Sequence, residues 1–410
     1  MSTALLDPRC GLVRSVDLGR SHGHLHTATA ELSGTDAFAL PLGNPVVGGT
    51  SWRSPAEATR RALGEAAERY AGHLIPPDRL VRSTWRELGP TALDPETLAL
   101  YAPFQYERPG FPFAGLGRDT PTSWVTGHTA AGTECRVPAS LVWLAPGEHA
   151  EVGGRPVHLP VAAGIAAGPT LAAARSAALA EVVERHALAT AWHARRAFPP
   201  LPPQPLPVPD GVGLRWFQVP NLVGAPVVLC AAQADDDRLG VGCALVPDAA
   251  DPVAEAGAKA AAEALVSLDS LDAVIGGMPE WSAVLKPHRQ DRRYGDSYRA
   301  DLSDATDLVC TLQLLADPRV SRAVAARLDH GAPAGRWRPN PIDLDAALVA
   351  LGLVAVTVDI TPPDLASLGW AVARVVVPGL RSTGPAAFPF LGDGAEPLPS
   401  DPERLPMPHV

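Results

Sequence analysis

Residues 168–192 read GPTLAAARSAALAEVVERHALATAW, a long alanine-rich run with a polar cluster set into its middle. Gly168 and Pro169 interrupt what precedes, and Thr170 is placed to cap the free amides of a first turn, so the spacing predicts a helix beginning there. Ala174, Ala178, Val182 and Ala189 recur at helical spacing and mark a buried stripe. Glu181, Glu184 and Arg185 stand at i, i+3 and i+4 and therefore share one face. Two carboxylates and a guanidinium on a buried helix are costly to desolvate unless something pairs with them. A metal ion and a polyphosphate are the candidates.

The arrangement recurs. Residues 54–72 read SPAEATRRALGEAAERYAG, in which Ser54 caps, Pro55 fits the first helical position and Glu57 completes an S-x-x-E capping box. Its own ExxER is Glu65, Glu68 and Arg69. A third helix, opened by Asp251 and Pro252, reads DPVAEAGAKAAAEALVSLDSL and places Glu263 after a run of small residues, with no Glu-Arg following. One ExxER alone is most simply an exposed ion pair, which stabilises little. Repetition in the same alanine-rich setting argues instead for inward-facing carboxylates on three helices.

At 410 residues and 46% hydrophobic, the chain can bury a large core as one big α/β domain or two smaller ones. A net charge of −10 argues against a nucleic-acid surface, which needs clustered Lys and Arg. Any polyanion bound here should be small and carry its own metal. The start, MSTALLDPRCG, has no basic-then-apolar signal, and no apolar run reaches membrane-spanning length, so the expected location is the cytoplasm with no membrane partner. Cys10, Cys135, Cys230, Cys243 and Cys310 show no C-x-x-C spacing and read as free thiols.

Taken in order, residues 1–45 form an N-terminal strand-like segment containing His22, His24 and His26. Three alternating imidazoles on a strand would share a face, as metal ligands do, but a polar strand face or loop is the simpler reading. A glycine-rich turn, Gly43 to Gly49, precedes the first ExxER helix without the spacing of either the Walker or the dinucleotide fingerprint. Residues 83–168 are strand-like between turns. Phe198 to Pro209 is too rich in proline for regular structure and reads as a connecting loop. WFQVPNLVG, APVVLCAAQ and LGVGCALVP then give strands leading into the Asp251 helix. Residues 276–340 read as charged and irregular, with His288 to Arg293 a solvated loop. Asn340-Pro341 opens a further helix that Gly352 closes, and LVAVTVDIT and WAVARVVVP read as buried strands. Past Pro378 the composition is that of a loose proline-rich tail.

RALGEAAERY (61–70), GIAAGPTLAAARSAALAEVVERHA (164–187), GVGCALVPDAADPVAEAGAKAAAEAL (240–265) and VDITPPDLASLGWAVARVVVPGL (358–380) together resemble the YcaO-domain proteins, specifically the azoline-forming cyclodehydratase subunits of peptide natural-product biosynthesis. The resemblance covers most of the chain in the family's order. It implies an α/β YcaO-type domain over 46–392, mixed sheets with alanine-rich helices converging on a metal–nucleotide site, and a tail over 393–410. It implies ATP and Mg2+ as cofactors, with Glu65, Glu68, Glu181, Glu184 and Glu263 as metal ligands and Arg69 and Arg185 facing the phosphates. The chemistry implied is attack of a Cys, Ser or Thr side chain on the preceding peptide carbonyl, phosphorylation of the amide oxygen and loss of phosphate, leaving thiazoline or oxazoline in a ribosomally made precursor peptide.

The chain lacks the N-terminal domain that fused members use to bind the leader of that peptide, which implies a separate leader-binding partner; a homodimer is left open. Pro406-Met407-Pro408-His409-Val410 is an imperfect version of the short proline-rich ending that reaches the active site in azoline-forming members, which makes Pro406, Pro408 and Val410 candidate catalytic residues. Arg61, Ala162, Ala163, Val266 and Leu268 stand where the family usually has polar contacts to the nucleotide. These departures keep two alternatives open: a degenerate non-catalytic subunit acting as scaffold, and a relative forming thioamide or amidine.

Overall fold

The computed structural model describes residues 3–33, 45–208, 210–277, 283–331 and 341–408. Strands β1 (Val13–Ser21), β2 (Leu25–Leu32) and β3 (Val46–Ser51) make a three-stranded sheet on which helix α1 (Pro55–His73) lies. After β4 (Val81–Ser83) and two single-turn helices, α2 (Trp85–Leu88) and α3 (Pro103–Tyr106), come the hairpin β5 (Thr122–Thr129) and β6 (Glu134–Pro138) and the two-residue ladder of β7 (Glu151–Val152) with β8 (Arg155–Pro156). Strand β9 (Ile165–Gly168) feeds α4 (Leu171–His193) directly. Then β10 (Pro200–Leu201), β11 (Val212–Gln218), β12 (Val228–Ala234) and β13 (Leu239–Ala244) form a four-stranded sheet ahead of α5 (Pro252–Gly276). The chain finishes through α6 (Val309–Leu315), α7 (Pro318–Leu328), α8 (Leu344–Ala350), β14 (Val356–Asp359), α9 (Pro363–Ser367) and β15 (Ala371–Val376).

A six-stranded sheet runs β4-β5-β14-β15-β9, with β6 added to β5. The α/β class read from the sequence is what forms, with the named strands pairing antiparallel throughout rather than in mixed sheets. Short turns such as 22–24 can only return a strand antiparallel to its neighbour. One hydrophobic core gathers α4, α5 and the four-stranded sheet; a second gathers α1 with the other two large sheets.

The alanine and glycine content has a packing purpose. A Cβ on Gly242 of β13 would stand 2.2 Å from the Ala260 carbonyl oxygen of α5, and one on Gly49 of β3 would stand 2.2 Å from that of Ala58 in α1. Helix and strand backbones are thus nearly in contact, which holds the polar faces of the helices at fixed depth. Gly242→Ala is expected to reduce stability by about 1–3 kcal/mol in a denaturant titration, as overpacking does. An unchanged midpoint would mean that β13 is not pressed against α5.

The caps follow the sequence. Thr170 Oγ1 accepts from the Ala173 amide at 3.2 Å and Asp251 from Ala254 at 3.1 Å. Ser54 Oγ accepts from the Glu57 amide, but the capping box is half made: the Glu57 carboxylate takes the Ser51 hydroxyl at 3.0 Å instead of returning to the Ser54 amide. Val182, expected in the buried stripe of α4, is only partly buried, whereas Ala174, Ala178 and Ala189 are fully covered. All five cysteines are free. No described helix is long and apolar enough to cross a membrane.

Several local expectations are corrected. His22 and His24 occupy the β1–β2 turn and only His26 lies in β2, so no strand presents three imidazoles. Val46 to Gly49 is strand β3 rather than a glycine loop, while Gly43 and Asn44 lie outside the described residues. Pro200 and Leu201 pair with Phe217 and Trp216, which proline tolerates because β10 is an edge strand. The stretch read as irregular holds α6, wholly buried, and α7. Helix α8 starts at Leu344, capped by Asp343, instead of at Pro341; Asn340 is outside the described residues, and Gly352, at φ 74°, closes the helix as expected.

The C-terminal segment is packed, not loose. Arg381, 2% exposed, gives its guanidinium to the carbonyls of Glu396 at 2.6 Å and Gly392 at 2.8 Å, and its amide to His186 Nδ1 at 3.0 Å. His186 Nε2 therefore carries the proton and donates to the Glu396 carboxylate at 3.2 Å. Further on, the Trp192 indole donates to the Leu405 carbonyl at 3.0 Å, and Met407 is buried in the α4 core.

Candidate functional site

Helices α1, α4 and α5 turn their polar faces toward one cleft. It comprises three contiguous hollows of about 370, 620 and 740 Å3 that share Glu65 and Arg185. The i, i+4 spacing of α1 pairs Arg69 with Glu65 at 3.2 Å, and that of α4 pairs Arg185 with Glu181 at 3.2 Å. Arg185 also reaches Glu184 at 3.3 Å. The remaining carboxylate oxygens are fixed by backbone. Glu68 accepts from the Ala167 amide of β9 at 2.7 Å, Glu181 from Gly164 at 2.9 Å, and Glu184 from Leu245 at 2.9 Å. Strand–helix junctions thus hold three of the five carboxylates where the sequence had put them on paper.

Glu184 is 1% exposed, and burial raises its carboxyl to about 7, against the pull of Lys259 and Arg185 and with the help of Glu263 and Glu181. Burial, then the neighbouring Glu65, push Glu68 well above the usual carboxylate range. Burial works against the charge on Arg185, but Glu184 and Glu181 outweigh it and hold the guanidinium firmly protonated. Glu65, Glu68, Glu181, Glu184 and Glu263 share the cleft wall with Arg61, Arg69, Arg185 and Lys259.

Among the described residues, no three Asp, Glu, His or Cys groups converge as a finished metal shell. The fit lies in the donor set: five carboxylates from three helices lining one cleft, two of them, Glu68 and Glu184, driven toward protonation by burial, are the hard oxygen ligands that Mg2+ takes. Arginine and lysine now stand between them, so side-chain rotation has to precede coordination.

All seven expected cleft residues, Glu65, Glu68, Arg69, Glu181, Glu184, Arg185 and Glu263, line the same space. Pro406 and Pro408 are not part of its lining; they are buried near the last turns of α4, and Val410 lies outside the described residues. Lys259, not among the expected residues, stands in the cleft too, its ammonium 3.9 Å from Glu184 and 3.7 Å from Glu263. Its signal was present as an i, i+4 partner of Glu263. Arg374, likewise unexpected, is buried on β15 and donates to the Val161 carbonyl at 3.0 Å; burial lowers its guanidinium to about 10, opposed by Glu181. Of the departures from the resemblance, Arg61 lines the cleft while its guanidinium holds the Thr50 carbonyl at 2.9 Å and Glu57 at 2.8 Å; Ala162, Ala163 and Val266 line it too.

The fold is shared with solved structures. A heterocyclase in complex with substrate and cofactor superposes with a TM-score of 0.70 at 19% identity, over 99% of this chain and 56% of that one. The chain thus spans little more than half of that protein's length. YcaO from Methanopyrus kandleri, bound with AMPPCP and Mg2+, gives 0.58 at 18% identity over 90% of this chain and 86% of that one. A chain of the E. coli microcin synthetase McbBCD complex with pro-MccB17 bound gives 0.66 at 12% identity over 97% and 96%. Curated proteins gave no match. A family model described as YcaO cyclodehydratase, ATP- and Mg2+-binding, matches residues 51–381, a span that contains all three carboxylate helices, and the chain accordingly belongs to the YcaO family.

Proposed function

We propose that this chain carries out ATP-dependent cyclodehydration of Cys, Ser or Thr residues in a ribosomally made precursor peptide, together with a separate leader-binding partner. The observation that carries the proposal is the convergence of α1, α4 and α5 on one cleft that gathers five glutamates beside Arg69, Arg185 and Lys259, in a chain of a family described as ATP- and Mg2+-binding. Glu65, Glu68, Glu181, Glu184 and Glu263 would hold magnesium, and Arg69 and Arg185 would face the phosphates. ATP with magnesium supplies the phosphoryl group that turns the amide oxygen into a leaving group. The protein's part is to fix that oxygen and the phosphate in line, away from water. The partner has its support in the E. coli neighbour, which is a subunit of a multi-protein synthetase.

The test is the mass of a co-encoded precursor peptide after incubation with this chain, its partner and ATP. Loss of one water per modified residue is expected. An unchanged mass, with no phosphate released, would favour the scaffold reading, whose support is Ala162, Ala163 and Val266 on the cleft wall where the resemblance implies polar contacts.

A further inference from the structure

Lys259 and Glu263 lie one turn apart on α5, and the close seat of α5 against Gly242 turns that face into the cleft opposite Glu184 of α4. The ammonium stands 3.9 Å from a Glu184 oxygen and 3.7 Å from a Glu263 oxygen. Both separations exceed a hydrogen bond. The nitrogen is therefore held between two carboxylates from different helices by charge alone, as a cation midway between two anions would be. Glu184 is otherwise fixed, by the Leu245 amide and by Arg185. Lys259 also borders both larger hollows of the cleft, the one reaching Gly48, Gly49 and Thr50 and the one reaching Ser176 and Asp248. Its side chain remains 42% exposed, so the flexible four-carbon stem has room to swing.

We propose that Lys259 is an exchangeable cation: in the metal-free protein it fills the place of one divalent ion between Glu184 and Glu263, and when metal enters it moves its ammonium to the polyphosphate. The proposal rests on the metal–nucleotide reading above and adds a device to it. Metal alone has to displace a resident charge and binds weakly. Metal with nucleotide offers that charge a new partner, so the two ligands bind cooperatively.

The test uses the full chain and two variants, Lys259→Met and Lys259→Arg. Mn2+ alone is titrated by electron paramagnetic resonance, and AMPPCP is titrated calorimetrically at saturating Mg2+. Lys259→Met is expected to bind Mn2+ alone roughly tenfold more tightly than wild type and magnesium AMPPCP roughly tenfold less tightly, two partly exposed ion pairs being worth about that much. Lys259→Arg should match wild type for Mn2+ alone. The opposite signs distinguish exchange from simple damage to the site, which would weaken both. Manganese affinity that is unchanged or weaker in Lys259→Met, or a Lys259→Arg protein that behaves like Lys259→Met, overturns the proposal. If wild type binds no AMPPCP at any magnesium concentration, the nucleotide reading fails and the move to phosphate fails with it. The manganese titration decides the resident place of Lys259 on its own.

Discussion

Glu184→Gln is expected to abolish magnesium-dependent ATP binding while the protein unfolds within about 1 kcal/mol of wild type. The substitution keeps shape, and the glutamine oxygen can still accept from the Leu245 amide that the carboxylate now holds at 2.9 Å. What it removes is the charge at the most buried point of the cleft, where Arg185 and Lys259 converge. A buried charge that pairs with a ligand's cation contributes on the order of 2–5 kcal/mol, so the nucleotide should bind at least about 30-fold more weakly. Arg185 keeps Glu181 as a partner, which limits the structural cost. Calorimetry with magnesium ATP, beside a denaturant titration, separates the two effects. Undiminished binding would return both ExxER motifs to ordinary ion pairs.

The parts of the fold legible in the sequence are those fixed locally. Helices α1, α4 and α5 announce themselves by Ser54, Thr170 and Asp251 and by spacing, because capping and side-chain faces are set within a few residues. The same locality made Glu181, Glu184 and Arg185 readable as one face. Contacts between helices were not readable. Lys259 could be seen as a neighbour of Glu263, but its approach to Glu184 depends on how closely α5 sits on β13. Helix α6 was missed because its wholly buried VCTLQLL is only two turns long and follows a charged loop, so no polar face showed a period. The histidine run was ambiguous for a related reason: alternation cannot reveal that the chain reverses at His22 to His24.

The tail shows most sharply where composition misleads. Prolines made 393–410 look loose, yet Glu403 donates its amide to the His193 carbonyl at 3.0 Å, Leu405 accepts from Trp192, and Met407 is 6% exposed. Deleting Leu405 to Val410 is therefore expected to cost about 2–4 kcal/mol, the range for emptying a buried methionine site, and Met407→Ala alone should account for most of it. Nucleotide affinity should survive, because Trp192 lies seven residues beyond Arg185, roughly 10 Å along the helix axis. A second effect separates brace from catalyst. We propose that Pro406, Pro408 and Val410 also position the reacting groups, in which case the truncated chain, assayed at a temperature where circular dichroism shows it fully folded, forms rings on the order of 100-fold more slowly. Met407→Ala under the same conditions should keep its rate, since it weakens the anchor without removing the end. A folded truncated chain working at the full rate would reduce the tail to a brace on α4, and the catalytic groups would then have to be sought among residues that line the cleft itself.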